Sequence, residues 1–154
     1  MYTYSSKINY TLSELLNRQM NLELKSAAQS AYFSGILKDQ QLCGIFNGFA
    51  KSELEHFRII IRIIRDLDLP CEIEPAIVDR ETDPVAATVM FKAIEQTMIL
   101  YYEDILPYFN DENRSEEKKL IANLLDQEKN HLKVLENIIE ESKNFYKSLN
   151  QNAD

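Results

Sequence analysis

Glu53-Leu54-Glu55-His56 is one of two Glu-x-x-His stretches in this chain, and Glu128-Lys129-Asn130-His131 is the other. These stretches contain the only two histidines of the 154-residue sequence. Residues three apart lie on one face of an α-helix, so each carboxylate and its imidazole can bind a metal ion together. Two such pairs, completed by one glutamate from each of two further helices, form a dimetal centre in a four-helix bundle.

The spacing of the glutamates indicates two similar helical hairpins. Both members of the Glu-x-x-His pair recur after 75 residues, and Glu95 follows Glu23 by 72 residues. Each half of the chain therefore supplies one lone glutamate and, about 30 residues later, one Glu-x-x-His pair. The halves share little other identity, so we interpret this as a functional pseudo-repeat and not as a sequence repeat.

The composition favours long helices and argues against several classes of function. Glycine and proline often mark turns, and the chain has only three glycines and four prolines, which indicates few turns. A net charge of −8 argues against a basic face that binds nucleic acid. Cys43 and Cys71 are the only cysteines and form no CxxC motif, so a four-cysteine zinc site is excluded. Neither a secretory signal nor an apolar run near 18 residues is evident, so we expect a cytoplasmic protein that does not bind membranes.

The pattern of apolar residues predicts an all-α fold in one domain, residues 1–154. Thr11 and Glu14 have capping-box spacing, so the first helix is predicted to begin near Thr11. Pro107 is expected to disturb the last turn of the third helix. The four predicted helices span about residues 11–36, 39–67, 84–109 and 116–148, and residues 149–154 are predicted to form a frayed tail.

Three prolines, Pro70, Pro75 and Pro84, bracket a non-helical crossover between the second and third helices. Residues 69–83 are too many for a hairpin turn, but enough to run along a bundle. Asp83 followed by Pro84 is typical of a helix start, with an N-cap and a proline in the first turn. The predicted fold is therefore two antiparallel helical hairpins joined by a long crossover.

The candidate glutamates lie within apolar stripes. An isolated buried carboxylate is strongly unfavourable, so it takes up a proton or a cation. Two divalent ions would balance four carboxylates, and mixed oxygen and nitrogen ligation fits iron or manganese, with zinc also compatible. On the first helix the stripe is Leu12, Leu16, Met20, Glu23, Ala27 and Ala31; on the third it is Thr88, Phe91, Glu95, Met98, Tyr102 and Ile105; on the fourth it is Ile121, Leu124, Glu128, His131, Leu135 and Ile138.

Several features have alternative interpretations. The polar cluster could instead be a set of paired groups in a metal-free bundle. Tyr32, Tyr101 and Tyr102 are predicted to be helix-packing aromatics with hydroxyls at the rim, the alternative being electron donors to the metals. Ile59 and Ile63 are predicted to be exposed on the second helix, which indicates a subunit interface and a homo-oligomer, at least a dimer.

The chain resembles the ferritin-like superfamily of di-iron proteins across the whole predicted bundle. The stretch 16–24, LNRQMNLEL, resembles the first helix of non-haem bacterial ferritins, and Ile94-Glu95-Gln96 resembles the third-helix ligand segment. The pair on the fourth helix is more similar to bacterioferritins and rubrerythrins. The resemblance implies two iron ions, with bridging carboxylates Glu53 and Glu128, terminal ligands Glu23 and Glu95, and imidazoles His56 and His131 binding one iron each.

Three positions depart from the subfamily patterns. Leu54 replaces the methionine of haem-binding bacterioferritins, so no haem is expected. Ser30 replaces the tyrosine common to ferritins and bacterioferritins, and Met98 replaces the additional glutamate of rubrerythrins. The four-cysteine module of rubrerythrins is absent, and we expect no fifth helix after the bundle. The sequence therefore does not assign the chain to one of these subfamilies.

The resemblance implies iron handling, in which Fe(II) is oxidised by O₂ or H₂O₂. If the chain is an enzyme, the implied class is a di-iron oxidoreductase, either a ferroxidase or a peroxidase. The alternatives are a rubrerythrin-like peroxide reductase that uses an external electron donor, a di-iron oxygenase with an organic substrate, and a metal-free structural bundle. A small oligomer that mineralises iron poorly is expected.

Overall fold

A computed structural model describes residues 10–151 of the chain and the side chains of residues 10–144. The four α-helices are α1 (Leu12–Ile36), α2 (Gln40–Asp66), α3 (Pro84–Ile105) and α4 (Ser115–Gln151). The described residues contain no β-strand. None of the helices within this range is both long enough and apolar enough to cross a membrane.

The first three helices begin near the predicted residues, and the caps predicted for the first and third are present. The backbone N–H of Thr11 donates to the Glu14 carboxylate over 2.7 Å, and the Thr11 hydroxyl accepts from the Glu14 N–H over 3.2 Å, which completes the capping box. Asp39 caps α2 through the Leu42 N–H. Asp83 caps α3, and Pro84 occupies its first turn.

The ends of α3 and α4 differ from the predicted boundaries. The α-helix α3 ends at Ile105, not at residue 109, and continues as a 3₁₀ turn over Leu106–Phe109. Pro107 has no N–H with which to continue the α-helical hydrogen bonds, which explains this earlier end. The helix α4 starts one residue before the predicted position and continues to Gln151, where a frayed tail was expected. Residues 152–154 of that predicted tail lie outside the described residues.

The helices pack as two hairpins, which confirms the predicted four-helix bundle. Contacts are most extensive between α1 and α2 and between α3 and α4, and α1 also packs on α3. Two apolar clusters fill the bundle at different depths. One cluster includes Leu16, Ile64, Tyr102 and Leu124, and the other includes Phe33, Phe46, Phe91 and Leu135.

The crossover, residues 69–83, forms neither helix nor strand and is held against α1 by side-chain amides. Gln29 donates to the carbonyl of Asp79 over 3.0 Å and accepts from its N–H over 2.8 Å. Asn17 and Asn21 pair with the earlier part of the crossover in the same way, over 2.7 to 2.9 Å. The long connection therefore has a defined path along the first helix.

Two predictions of side-chain exposure are wrong. Ile63 is only 2% exposed and packs in an apolar cluster with Ile60 and Ile64, while Ile59 is half-buried. Isoleucines three and four residues apart share a helix face, and that face is turned to the core. Ala31 is exposed, since the end of α1 turns Phe33 inward instead.

Candidate metal centre

The structure brings all six predicted site residues into one layer of the bundle. On every helix this layer lies between the two apolar clusters, so the helix packing on both sides sets its depth. Five of the side chains are buried, and the sixth, His131, is 14% exposed. The layer consists of Glu23 from α1, Glu53 and His56 from α2, Glu95 from α3, and Glu128 and His131 from α4.

The phase of α2 explains why its pair faces inward. Glu53 and His56 are three residues apart and both point into the bundle, whereas Leu54 and Glu55 between them are exposed. The same phase holds on α4, where the two residues between Glu128 and His131 are also exposed. The Glu-x-x-His spacing thus places one carboxylate and one imidazole inside while the helix keeps a polar surface.

The six residues form two overlapping groups of potential ligands. The ligand atoms within each group lie within 4.8 Å of one another. Glu53 and Glu128 belong to both groups, which is the arrangement required of carboxylates that bridge two ions. The first position consists of Glu23, Glu53, His56 and Glu128, and the second position consists of Glu53, Glu95, Glu128 and His131.

At the first position, His56 directs its Nδ1 atom at three carboxylates. This nitrogen lies 2.6 Å from Glu128 Oε1, 3.3 Å from Glu53 Oε2 and 3.5 Å from Glu23 Oε2. Burial works against a charge on this ring, but the carboxylates of Glu128, Glu23 and Glu53 outweigh burial and raise the pKa of His56. The first position therefore concentrates negative charge around one nitrogen.

The second position repeats this geometry through His131. Its Nδ1 atom lies 2.8 Å from Glu53 Oε1, 3.3 Å from Glu128 Oε2 and 3.6 Å from Glu95 Oε2. Despite the short distance to Glu53, the atoms are not aligned as a hydrogen bond, and Nδ1 has no partner. The two imidazole rings are almost parallel, 14° apart, with centroids separated by 5.9 Å.

Many buried polar atoms of this layer have no hydrogen-bond partner. Such atoms are rare in folded proteins, because burial removes their water without replacing it. A cation between the facing oxygens and nitrogens would satisfy them, so the donor set fits a metal centre. The unpartnered atoms at the two positions are Glu23 Oε2, both carboxylate oxygens of Glu53 and of Glu95, Glu128 Oε2 and His131 Nδ1.

The pKa directions show that the metal-free layer retains protons. Burial raises the pKa values of Glu23 and Glu95 well above 4.5, and the nearby carboxylates of Glu128 and Glu53 raise them further. Burial opposes a charge on His131, but the carboxylates around it outweigh burial and raise its pKa to about 12. For Glu53 the effect of burial is outweighed by the close imidazole rings of His131 and His56, which lower its pKa to about 2.

The prediction that the Tyr102 hydroxyl lies at the rim of the bundle is wrong. Its side chain is fully buried, and its hydroxyl donates a hydrogen bond to Glu23 Oε1 inside the layer. Burial, together with the nearby charges of Glu23 and Glu128, raises the pKa of this hydroxyl, so it stays protonated as a donor. Tyr32 and Tyr101 are half-buried.

Three further side chains contact the candidate ligands and were not predicted from the sequence. Gln19 Nε2 donates to Glu23 Oε1 over 2.8 Å. Gln127 Oε1 and Ser52 Oγ lie 3.1 Å and 3.3 Å from Nε2 of His56. A sequence signal exists for two of them, because Ser52 and Gln127 each directly precede a candidate glutamate.

Two helical hairpins that enclose four carboxylates and two imidazoles define the class of four-helix bundles with a candidate dimetal centre. The profile of the ferritin-like domain family matches residues 13–145, and the chain belongs to this family. The predicted resemblance is thereby confirmed. Among curated proteins, none matches the chain by sequence.

Solved structures share the fold at low sequence identity. A dodecameric thioferritin, the bacterioferritin-related protein of Bacteroides fragilis, has a TM-score of 0.80 and 18% identity, covering 89% of this chain and 89% of that chain. A ferritin-like di-iron carboxylate protein from Bacillus anthracis strain Ames has a TM-score of 0.77 and 19% identity, covering 83% and 94%. The bacterioferritin of Desulfovibrio desulfuricans has a TM-score of 0.76 and 21% identity, covering 86% and 80%.

Proposed function

We propose that the chain binds two Fe(II) ions and oxidises them with O₂ or H₂O₂. The observation that carries this proposal is the pair of overlapping ligand groups that share Glu53 and Glu128. Each group offers three carboxylates and one imidazole. Under this proposal Glu53 and Glu128 bridge the ions, while the other four residues, Glu23, His56, Glu95 and His131, each bind one of them.

The donor chemistry supports iron as the metal. Carboxylate oxygens and imidazole nitrogens without a thiolate suit iron and manganese, whereas structural zinc sites usually take four ligands that include cysteine. Four carboxylates balance the charge of two divalent ions, which keeps a buried centre close to neutral. Haem is not part of the proposal, because Leu54 has no sulfur with which to bind it.

The reaction balances with iron as the substrate. Two Fe(II) ions lose one electron each, and one H₂O₂ takes up these two electrons and two protons to leave as two water molecules. With O₂, the same two electrons and two protons produce one H₂O₂. The bridging carboxylates hold the two electron donors together, the apolar clusters exclude water, and Tyr102 holds a proton at Glu23 Oε1.

We also propose that the chain acts as a homo-oligomer, at least a dimer. The relative from Bacteroides fragilis is described as dodecameric. Large apolar side chains are exposed at other positions than predicted, with Ile77 on the crossover 76% exposed and Leu100 on α3 60% exposed. Packing against a second copy of the chain would remove this apolar surface from water. A cytoplasmic location stays a prediction.

Anaerobic loading with Fe(II), followed by O₂ or H₂O₂, tests the proposed function. We expect uptake of two equivalents of Fe(II) per chain and one equivalent of H₂O₂ consumed per two Fe(II). The double variant His56→Ala, His131→Ala should lose this uptake, while Glu55→Gln, which changes an exposed neighbour, should keep it. Uptake that is absent from the wild type, or equal in the double variant, contradicts the proposal. Repeated reduction of peroxide with an added electron donor would favour a peroxide reductase instead.

A further inference from the structure

A cleft of about 450 Å³ lies between α1, the crossover and α3, and none of the six candidate metal ligands lines it. Its volume falls within the range of small-molecule binding sites, about 300–1,000 Å³. We refer to it as the crossover cleft. Its lining includes Arg18, Leu22 and Lys25 from α1, Glu72 and Glu74 from the crossover, and Tyr101 from α3.

The two main walls of the crossover cleft carry opposite charges. Arg18 and Lys25 are seven residues apart on α1, so they lie on one face of this helix, about two turns from each other. Glu72 and Glu74 supply exposed carboxylates from the crossover. Within residues 10–144, the ion pairs join other groups, and none of them includes these four side chains. The two walls therefore do not neutralise each other across the cleft.

The crossover wall is held in place by the backbone of its two glutamates. Asn17 Oδ1 accepts from the N–H of Glu72 over 2.7 Å, and Asn21 Oδ1 accepts from the N–H of Glu74 over 2.8 Å. The amide of Asn21 also donates to the carbonyl of Glu72 over 2.8 Å. These contacts fix the distance between the crossover and α1, so the cleft is formed before any ligand binds.

The cation of Arg18 is also oriented in advance. Its Cζ atom lies 4.2 Å from the centroid of the Tyr10 ring. Stacking of this kind uses the face of the guanidinium group and leaves the N–H groups at its edge for an acceptor. Glu14 lines the cleft as well, but its carboxylate accepts hydrogen bonds from the N–H and the hydroxyl of Thr11, over 2.7 and 2.9 Å.

The remaining lining residues are uncharged. Leu22, Pro75 and Ala76 add apolar surface, which suits a short hydrocarbon chain. Tyr101 contributes a hydroxyl that has no hydrogen bond within the described residues. The cleft thus combines a cationic wall, an anionic wall and an apolar portion.

We propose that the crossover cleft binds a small zwitterion, whose carboxylate contacts the cations of α1 and whose ammonium group contacts the carboxylates of the crossover. The two charges of this ligand are separated by several bonds, because the walls do not reach each other. An ω-amino acid or a dipeptide has this form. A ligand with only one charge would leave one wall without a partner. Since both walls are already fixed, binding costs little conformational freedom.

Equilibrium dialysis of the full-length chain with 6-aminohexanoate, and with ω-amino acids of four to eight carbon atoms, tests this proposal. Hexanoate and hexylammonium are the matched probes, because each lacks one of the two charges. We expect one equivalent of the best ω-amino acid per chain, bound at least about 10-fold more tightly than either matched probe. Binding should weaken as the salt concentration rises, since salt screens exposed charges.

Variants that neutralise one wall separate the two contacts. Glu74→Gln should weaken the binding of 6-aminohexanoate by about 10-fold and leave that of hexanoate unchanged. Lys25→Gln should weaken the binding of 6-aminohexanoate by a similar factor and leave that of hexylammonium unchanged. Glu55→Gln and Lys51→Gln are the matched controls, because they neutralise exposed groups of α2 that do not line the cleft. If Lys25→Gln does not fold, Arg18→Gln tests the same wall.

Three results would overturn the proposal. They are no saturable binding of any ω-amino acid at about 10 mM, binding of a single-charge probe as tight as that of the zwitterion, and wall variants that behave like the controls. The proposed function would be unaffected, because the cleft and the metal centre share no residue. A chain that binds 6-aminohexanoate and takes up no Fe(II) would contradict the proposed function alone.

Discussion

At the scale of single residues, the candidate centre depends on polar groups that are kept apart from water. Tyr102 lies on the apolar stripe of α3, yet its hydroxyl reaches across to Glu23 on α1. A hydrogen bond to a buried carboxylate is worth more than one at the surface. The tyrosine therefore links two helices of the bundle at the depth of the centre.

Tyr102→Phe keeps the ring and removes only this hydroxyl. We expect the free energy of unfolding of the metal-free chain to fall by about 1–3 kcal/mol, because Glu23 loses a buried donor. Urea denaturation measures the change. Tyr101→Phe is the matched control, since Tyr101 is adjacent and half-buried and its hydroxyl has no hydrogen bond within the described residues. Equal losses in both variants would contradict this role of Tyr102.

The same residues determine how the metal-free chain responds to pH. Glu23 and Glu95, with raised pKa values, bind protons in the folded state that the unfolded chain releases above pH 4.5, and their stabilising effect is lost as pH rises. His131 acts in the same direction between about 6.5 and 12. Glu53, with a pKa of about 2, destabilises the fold only as pH falls below 4.5.

The metal-free chain should therefore melt at a higher temperature at about pH 5.5 than at about pH 8. Differential scanning calorimetry across this range checks the direction. The variant Glu23→Gln, Glu95→Gln should show a flatter profile, because neutral amides replace the two carboxyl groups whose protons are lost. A wild-type profile that rises with pH, or one that the double variant leaves unchanged, would show that these groups do not control stability.

At the scale of secondary-structure elements, α1 has two functions in the fold. One face supplies Glu23 to the centre, and other positions hold the crossover through Asn17, Asn21 and Gln29. An extended segment with no sheet partner needs acceptors and donors for its backbone, and these amides provide both. The position of α3, which follows the crossover, is thus tied to the helix that carries Glu23.

Gln29→Leu should detach the crossover near Asp79. The variant loses two hydrogen bonds, of 3.0 and 2.8 Å, and we expect the free energy of unfolding to fall by about 1–3 kcal/mol. Denaturant unfolding measures this loss. Gln41→Leu, at an exposed position of α2, controls for the general effect of replacing a glutamine by leucine. A loss no larger than that of the control would mean that the amide contributes nothing to the fold.

At the scale of the whole molecule, the bundle buries carboxylates in its interior, where a negative charge is unfavourable because it has lost its water. The chain carries a net charge of −8, and four of its carboxylates meet in one buried layer. Two divalent cations would remove this repulsion and satisfy the unpartnered atoms at once. Metal binding and folding are therefore expected to be strongly linked.

Adding Fe(II) under anaerobic conditions should raise the melting temperature of the metal-free chain. At a free metal concentration 100 times the dissociation constant, one site adds about 2.7 kcal/mol of stability by mass action. The effect should grow between about pH 5.5 and pH 8, since ligands must lose protons to bind metal. The variant His56→Ala, His131→Ala should show little change. Coinciding melting curves of metal-free and metal-loaded wild type would argue against a shared centre.

The sequence alone determined the helical class and the helix starts, and it predicted the residues of the candidate centre. Capping residues such as Thr11 and Asp83 act through neighbouring backbone groups, so they can be identified locally. Residues at Glu-x-x-His spacing share one face of a helix because of the helical repeat. A glutamate that lies on an apolar stripe is therefore predicted to face the interior of the bundle. These features depend on residues a few positions apart, which is why they were predictable.

Only the tertiary structure decided which groups meet across helices. The hydroxyl of Tyr102 reaches Glu23, 79 residues away, and the amide of Gln127 reaches His56, 71 residues away. The burial of Ile63 depends on how α2 rotates against its neighbours. Contacts of this kind depend on helix rotation and on the depth at which the helices pack. Helical periodicity does not specify either quantity, so these contacts between helices become visible only in the folded bundle.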